Sequence, residues 1–208
     1  GKNRLGGSIL AQVTHRFGDT APDCENAAEL ARFFVTVRRL TDSGALLAYH
    51  DRSDGGLFAT LAEMMFASRL GVSLNLSSLL EAEGANVWNV LFNEELGAVL
   101  QVRADRVEEL VAAMREEGLS HLCHFIGEVT EGELLTISND DCPNACFTRE
   151  ELQTAWTEVS HSIARGRDNP ACADQEFARI ADKTDILPCH RRILCIRLVR
   201  RHLSARRP

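Results

Sequence analysis

Long apolar runs are missing from this chain. No stretch approaches the roughly 20 residues that span a bilayer, and residues 1–20 lack the basic-then-apolar layout of a secretory signal. A cytoplasmic protein without membrane association is the expectation. Regularly spaced cysteines are missing too: Cys24, Cys123, Cys142, Cys146, Cys172, Cys189 and Cys195 form an odd, irregular set. That argues against a disulfide framework and leaves reduced thiols. No complete zinc pattern occurs. The nearest approach is 121-HLCH-124 with Cys142 and Cys146, and no regular second half follows it. No cysteine sits in a cationic, helix-starting setting that would mark a nucleophile. Acid is missing from residues 186–208, which carry seven arginines.

What is present suits a globular protein. With 208 residues, 45% hydrophobic and 25% charged, the chain has material for one large or two small domains. Its net charge of −7 conceals an acidic body, at −14 over residues 1–185, and a basic end.

Periodicity divides the chain into alternating elements. Ser8 is placed to cap a short helix over 9-ILAQVTHRF-17. Residues 24–40 form an amphipathic helix with Ala27, Leu30, Phe34 and Val37 on its apolar face. Ala45 to Tyr49 reads as a buried, central strand, and a helix over 57–68 would turn Leu57, Leu61 and Met64 inward. Residues 71–76 and 98–102 alternate as strands. Asp105 with Glu108 and Gly118 punctuate another helix. Residues 124–130 and 133–138 read as a hairpin around Glu131-Gly132. A last helix runs from Thr148, with Glu151 in a capping-box position, to about Ala164. The fold class expected is α/β, with a mixed sheet flanked by helices.

The richest polar stretch is 50-HDRSDGG-56. As a plain turn it needs Ser53 or Asp54 to cap the following helix and Gly55-Gly56 to bend the chain. As a site, it puts Asp51, Ser53 and Asp54 between a strand's carboxyl end and a helix's amino end, where N–H groups favour phosphate. Carboxylates repel a naked phosphate, so a divalent cation is implied. Magnesium takes one or two carboxylates plus phosphate oxygens. Both readings stand on the residues alone. Glu94 and Glu95 would face opposite ways in a strand, which argues against one shared site. His50 is read first as a hydrogen-bonded structural residue, and 5-LGGS-8 equally as a phosphate cradle or an ordinary turn.

A family resemblance rests on 48-AYHDRSDGGLFATLAEMMFAS-68, 5-LGGS-8, 91-LFNEELGAVLQV-102, Trp156 and 167-RDNPACADQE-176. Together these blocks resemble the large bacterial form of phosphoribosylformylglycinamidine synthase, the glutamine amidotransferase of purine synthesis. The resemblance spans roughly residues 1–185 and points to the C-terminal domain of that enzyme's second synthetase half, a domain like that of aminoimidazole ribonucleotide synthetase. It implies Mg2+ on Asp51 and ATP or ADP at Ser53, with Asp54, Gly55 and Gly56 shaping the turn. In that half the nucleotide is expected to be structural. Residues 1–164 would be the domain and 165–185 a linker towards a glutaminase. The partners implied are the N-terminal synthetase domain and that glutaminase, so a fragment alone would not turn over.

The resemblance stops near 182-DKTD-185. Residues 186–208 are expected to be a divergent tail, favoured as the product of a reading-frame slip. The competing expectation is a stand-alone nucleotide-binding or scaffold module whose basic tail binds an anionic partner; nucleic acid is disfavoured.

Overall fold

The computed structural model describes residues 2–18, 20–81, 85–139, 142–182 and 193–197, with 142–144 and 193–197 described by backbone alone. Among these residues, no helix is long and apolar enough to cross a membrane. The chain runs through α1 (Ile9–Val13), α2 (Ala27–Asp42), β1 (Leu46–Asp51), α3 (Gly56–Ser68), β2 (Gly71–Asn75), α4 (Ser77–Leu80), α5 (Val87–Phe92) and β3 (Gly97–Val102). It continues with α6 (Val107–Glu116), β4 (Cys123–Thr130), β5 (Leu134–Asn139), β6 (Cys142–Thr148), α7 (Arg149–Arg167), α8 (Pro170–Ala178) and β7 (Ile193–Arg197). The sheet order is β1-β3-β7-β4-β2-β5-β6. It is mixed, because β2 pairs parallel with β5 and the other neighbours pair antiparallel. This is the α/β class expected from the alternation of elements.

Strand β3 shows how the sheet divides the interior. Its successive side chains point to opposite faces. Val99 enters a core with Leu57, Leu61 and Met65 of α3, Val90 and Leu91 of α5, and Val72, Leu74, Ile126 and Leu135 of the sheet. Ala98, Leu100 and Val102 enter a second core with Phe33 and Leu40 of α2 and Leu110, Ala113 and Met114 of α6. The uncovered face of β2 and β4 carries exposed Ser73, Asn75 and Glu128, as a half-solvated antiparallel pair should.

Several expectations change. On α2 the buried face is Phe33, Thr36 and Leu40, while Phe34 stands 61% exposed. On α3, Met65 is buried in place of Met64, following the i, i+4, i+8 row from Leu57. Asp105 does not cap α6; Arg103 binds its carboxylate at 3.0 Å, and residues 104–106 form a 3₁₀ turn instead. Strand β1 is an edge strand, not a central one, with alternating exposure and β3 as its partner.

The expected hairpin of residues 124–138 is also corrected. Strand β2 inserts between β4 and β5. The connection over 131–133 must therefore pass across β2, and it passes over Gly71. A Cβ there would lie 2.5 Å from Thr130 Oγ1 and 2.8 Å from Leu134 O. Gly127 permits the same intimacy on β4, where a Cβ would fall 2.0 Å from Ser73 O. The sheet order also separates 121-HLCH-124 from Cys146. Strand β6 lies three strands from β4, about 14 Å away, and no group of three metal-binding side chains occurs among the described residues.

The C-terminal part is helical where it is described. Thr148 and Glu151 form the expected capping box, and α7 extends to Arg167. Asn169 then caps α8 with Pro170 in its first turn, so the linker-like RDNP sequence is a helix start. The His161 ring stacks on Phe177 at 4.2 Å, and Asp174 accepts from His161 and Arg165. Residues 193–197 of the basic end lie between β3 and β4; the rest of 183–208 lies outside the described residues.

Arg149 ties these parts together. Its fully buried guanidinium pairs with Glu133 at 3.1 Å and donates to Ile180 O at 2.8 Å. Removing one partner of a buried pair leaves an uncompensated charge, at about 3–5 kcal/mol. Arg149→Met should lose that much in urea unfolding, and adding Glu133→Gln should recover part of it. An unchanged midpoint in the single variant would refute this role.

Candidate functional site

The turn after β1 is built around what its side chains do not do. Gly55 is the N-cap of α3, in the left-handed region at φ 79°, and no side chain caps this helix. Gly56 is also left-handed, at φ 66°, and a Cβ there would come within 2.7 Å of Leu91 O and Asn93 O. Glycine is demanded twice over, by conformation and by the close pass of the 91–93 backbone. Ser53 and Asp54 therefore do not cap the helix, contrary to the plain-turn reading. Both are exposed, and their side chains make no hydrogen bond among the described residues. The Asp51 side chain is 68% exposed.

Strand alternation separates the neighbours. His50 lies opposite Val99 and faces α3, where its Nε2 meets Glu63 at 2.8 Å. Its Nδ1 lies 2.7 Å from Asp51 O, so the imidazole is held at both nitrogens, as the structural reading expected. Asp51 lies opposite Ala98, on the other face. Glu63 also accepts from Trp156 Nε1 at 3.2 Å, which fastens α7 to α3.

Arg52 is buried and turned inward. Its Nε donates to Glu95 O at 2.7 Å and its Nη2 to Leu96 O at 3.2 Å. Glu94 and Glu95 lie in the loop before β3, not in a strand, so the opposite-faces argument does not apply to them. Both hold the N-terminal segment. The Glu95 carboxylate, 2% exposed, accepts from Lys2 N, Arg4 N, Arg4 Nε and Arg4 Nη2 at 2.7–3.2 Å. Glu94 Oε1 accepts from Ile9 N at 2.8 Å and Gly55 N at 2.9 Å, joining the 5-LGGS-8 turn to the 53–56 turn. The glycine N–H groups of that turn are taken up by residues 17–20. Gly6 N donates to Thr20 O and Gly7 N to Phe17 O, while Ser8 caps α1. It is an ordinary turn.

With this geometry in hand, residues 1–138 match the family described as AIR synthase related protein, C-terminal domain. The chain belongs to that family. Its fold is also found in solved structures from Thermotoga maritima. A PurLQS structure matches at a TM-score of 0.54 and 14% identity, covering 62% of this chain and 22% of that one. PurL complexed with ATP matches at 0.50 and 15%, covering 58% and 21%. Phosphoribosylformylglycinamidine synthase II matches with the same figures. This chain thus spans about a fifth of the length of those proteins. The family match contains the whole 50–56 turn, both glutamates and the N-terminal segment; β6, α7, α8 and β7 lie beyond it.

Of the residues singled out in the sequence, Asp51, Ser53 and Asp54 are exposed at one turn, and Gly55 and Gly56 shape it. Glu94 and Glu95 hold the N-terminal segment in place, a role that the sequence pattern does not announce. Their signal is a pair of adjacent acids, but most of their donors are backbone N–H groups on distant segments, which carry no side-chain signature; the Arg4 guanidinium on Glu95 is the exception.

Burial raises the Glu95 carboxyl, but the Arg4 hydrogen bonds outweigh it and hold the group down to about 2. A carboxylate with a depressed folded pKa stabilises above its unfolded value, near 4.5, and that stability is lost as pH falls towards 2. Over this window the contribution is about 3 kcal/mol. The stability gap between wild type and Glu95→Gln should therefore close between pH 5 and pH 2 in chemical denaturation. A gap independent of pH would contradict it.

Proposed function

We propose that this chain is the C-terminal domain of the second synthetase half of a large phosphoribosylformylglycinamidine synthase, and that its 51–56 turn forms one wall of a magnesium–nucleotide site. One observation carries the reading: the side chains of Asp51, Ser53 and Asp54 stand exposed at one strand-to-helix turn, Ser53 and Asp54 unused because Gly55 has taken over the cap, and the Asp51 carboxylate set 3.9 Å from His50 Nδ1. Exposed carboxylates and a hydroxyl at a helix start are hard oxygen donors of the kind magnesium accepts. Asp51 would hold the ion and Ser53 would contact the nucleotide, with Asp54, Gly55 and Gly56 setting the backbone. The bound ion would neutralise phosphate charge beside these carboxylates.

Family membership supports the reading, as does the fold shared with PurL, one structure of which holds ATP. The complete enzyme would convert ATP, formylglycinamide ribonucleotide and glutamine into the amidine, ADP, phosphate and glutamate. Most of that machinery would reside in other domains, the N-terminal synthetase domain and the glutaminase among them. The domain at residues 1–164 would contribute binding surface, not turnover.

Isothermal calorimetry of this chain with ADP, with and without Mg2+, tests the assignment. Binding should require Mg2+ and weaken at least about tenfold, or roughly 1.4 kcal/mol, in Asp51→Asn. Binding indifferent to Mg2+ or to Asp51 would overturn it.

A further inference from the structure

Glu94 is placed differently from the exposed side chains beside it. Its single Oε1 sits between two backbone donors, Ile9 N–H at 2.8 Å and Gly55 N–H at 2.9 Å, contributed by segments far apart in sequence. Two N–H groups converging on one oxygen make the kind of concavity that holds an anion, and here a carboxylate of the chain already fills it.

We propose that Glu94 is a specificity-determining residue. Its carboxylate occupies the anion position of this N–H pair, so that the turn admits a phosphate only when a divalent cation accompanies it. The inference rests on the nucleotide reading above. A metal-free phosphate approaching the turn meets Asp51, Asp54 and Glu94, and finds the Gly55 N–H already engaged. Arg52, the cation within the turn, gives no relief, because its guanidinium is spent on Glu95 O and Leu96 O. A cation-bound phosphate brings its own positive charge and is drawn to the same carboxylates. Glu94 thus keeps the two turns in register and filters ligands by charge.

Glu94→Gln separates these duties. The amide oxygen can still accept both N–H bonds, so the turns stay joined while the charge is gone. In calorimetry on the whole chain, this variant should bind pyrophosphate and metal-free ADP about tenfold more tightly than wild type, the size of one charge removed at a few ångströms. Its Mg-ADP affinity should change less than about threefold. Glu108→Gln, which removes an exposed charge on α6, should give no such gain. Equal binding of metal-free ligands by wild type and a folded Glu94→Gln, or an equal gain in Glu108→Gln, overturns the proposal.

Glu94→Ala supplies a second measurement should the glutamine variant fail to fold. The emptied N–H pair should accept an external anion, so acetate or phosphate should raise the melting temperature of Glu94→Ala more than that of wild type, against chloride at equal ionic strength. No selective rise counts against the inference. The two readings fail separately. Mg-ADP binding that needs Asp51, with no effect of Glu94→Gln on metal-free ligands, leaves the nucleotide site and removes the filter. A pyrophosphate gain without Mg-ADP binding does the reverse, and no binding by any variant removes both.

Discussion

A buried carboxylate organises this end of the molecule. Glu95 lies almost wholly out of water and would be costly there without partners. Lys2 and Arg4 supply four N–H bonds to its side chain, and Arg52 binds its carbonyl oxygen. The two ends of one residue therefore hold two different segments. The side chain fixes the N-terminal segment, and the carbonyl draws Arg52 inward under the turn. Asn93 adds a bond to Asn3 at 3.2 Å, and Arg4 reaches on to Glu25 at 3.0 Å. Once this network is in place, Glu94 falls between Ile9 and Gly55, and the exposed face of the turn is left to Asp51, Ser53 and Asp54.

The sheet supplies the rigid support behind that network. Strand β3, buried on both sides, carries the loop of the two glutamates at its start and pairs with the strand that ends in Asp51. Helix α3 is anchored below by Leu57, Leu61 and Met65 and approached at its first residue by the 91–93 backbone. The turn is thereby gripped from the strand, the helix and the following loop, while the side chains of Asp51, Ser53 and Asp54 remain on the surface. A recognition site gains from such a scaffold, because binding then spends little on ordering the chain.

Functionally, the turn's chemistry suits holding a ligand more than transforming one. It offers oxygen donors and backbone geometry, and the nearby histidine is occupied at both ring nitrogens. The chain spans about a fifth of the length of the solved structures that share its fold. The strand contributed by residues 193–197 adds a point of its own. A segment that reads as a basic tail pairs on both sides, with β3 and with β4, which shows that arginine content alone says little about where a short apolar stretch such as 193-ILCIR-197 is placed.

Local pattern was enough for the α/β class, the Thr148 capping box, the Ser8 cap, β2, β3 and the position of the polar turn. Each of these is decided within a few residues, by alternation or by a side chain reaching its own backbone. Local pattern failed where distant segments compete. The residues of β4 and β5 have hairpin spacing, yet β2 comes between them because Gly71 and Gly127 let backbones pass where any Cβ would collide. Ser53 and Asp54 look like helix caps, yet the tertiary path assigns that place to Gly55. Glu94 and Glu95 look like an acid pair, yet they hold the N-terminal segment, Glu95 through Lys2 and Arg4 and Glu94 by joining Ile9 to Gly55. The sequence by itself determined which residues could bind magnesium or phosphate, since that is a matter of side-chain chemistry. Only the tertiary structure decided which of them remained available, because a hydrogen-bond donor or acceptor used by the fold is no longer available to a ligand.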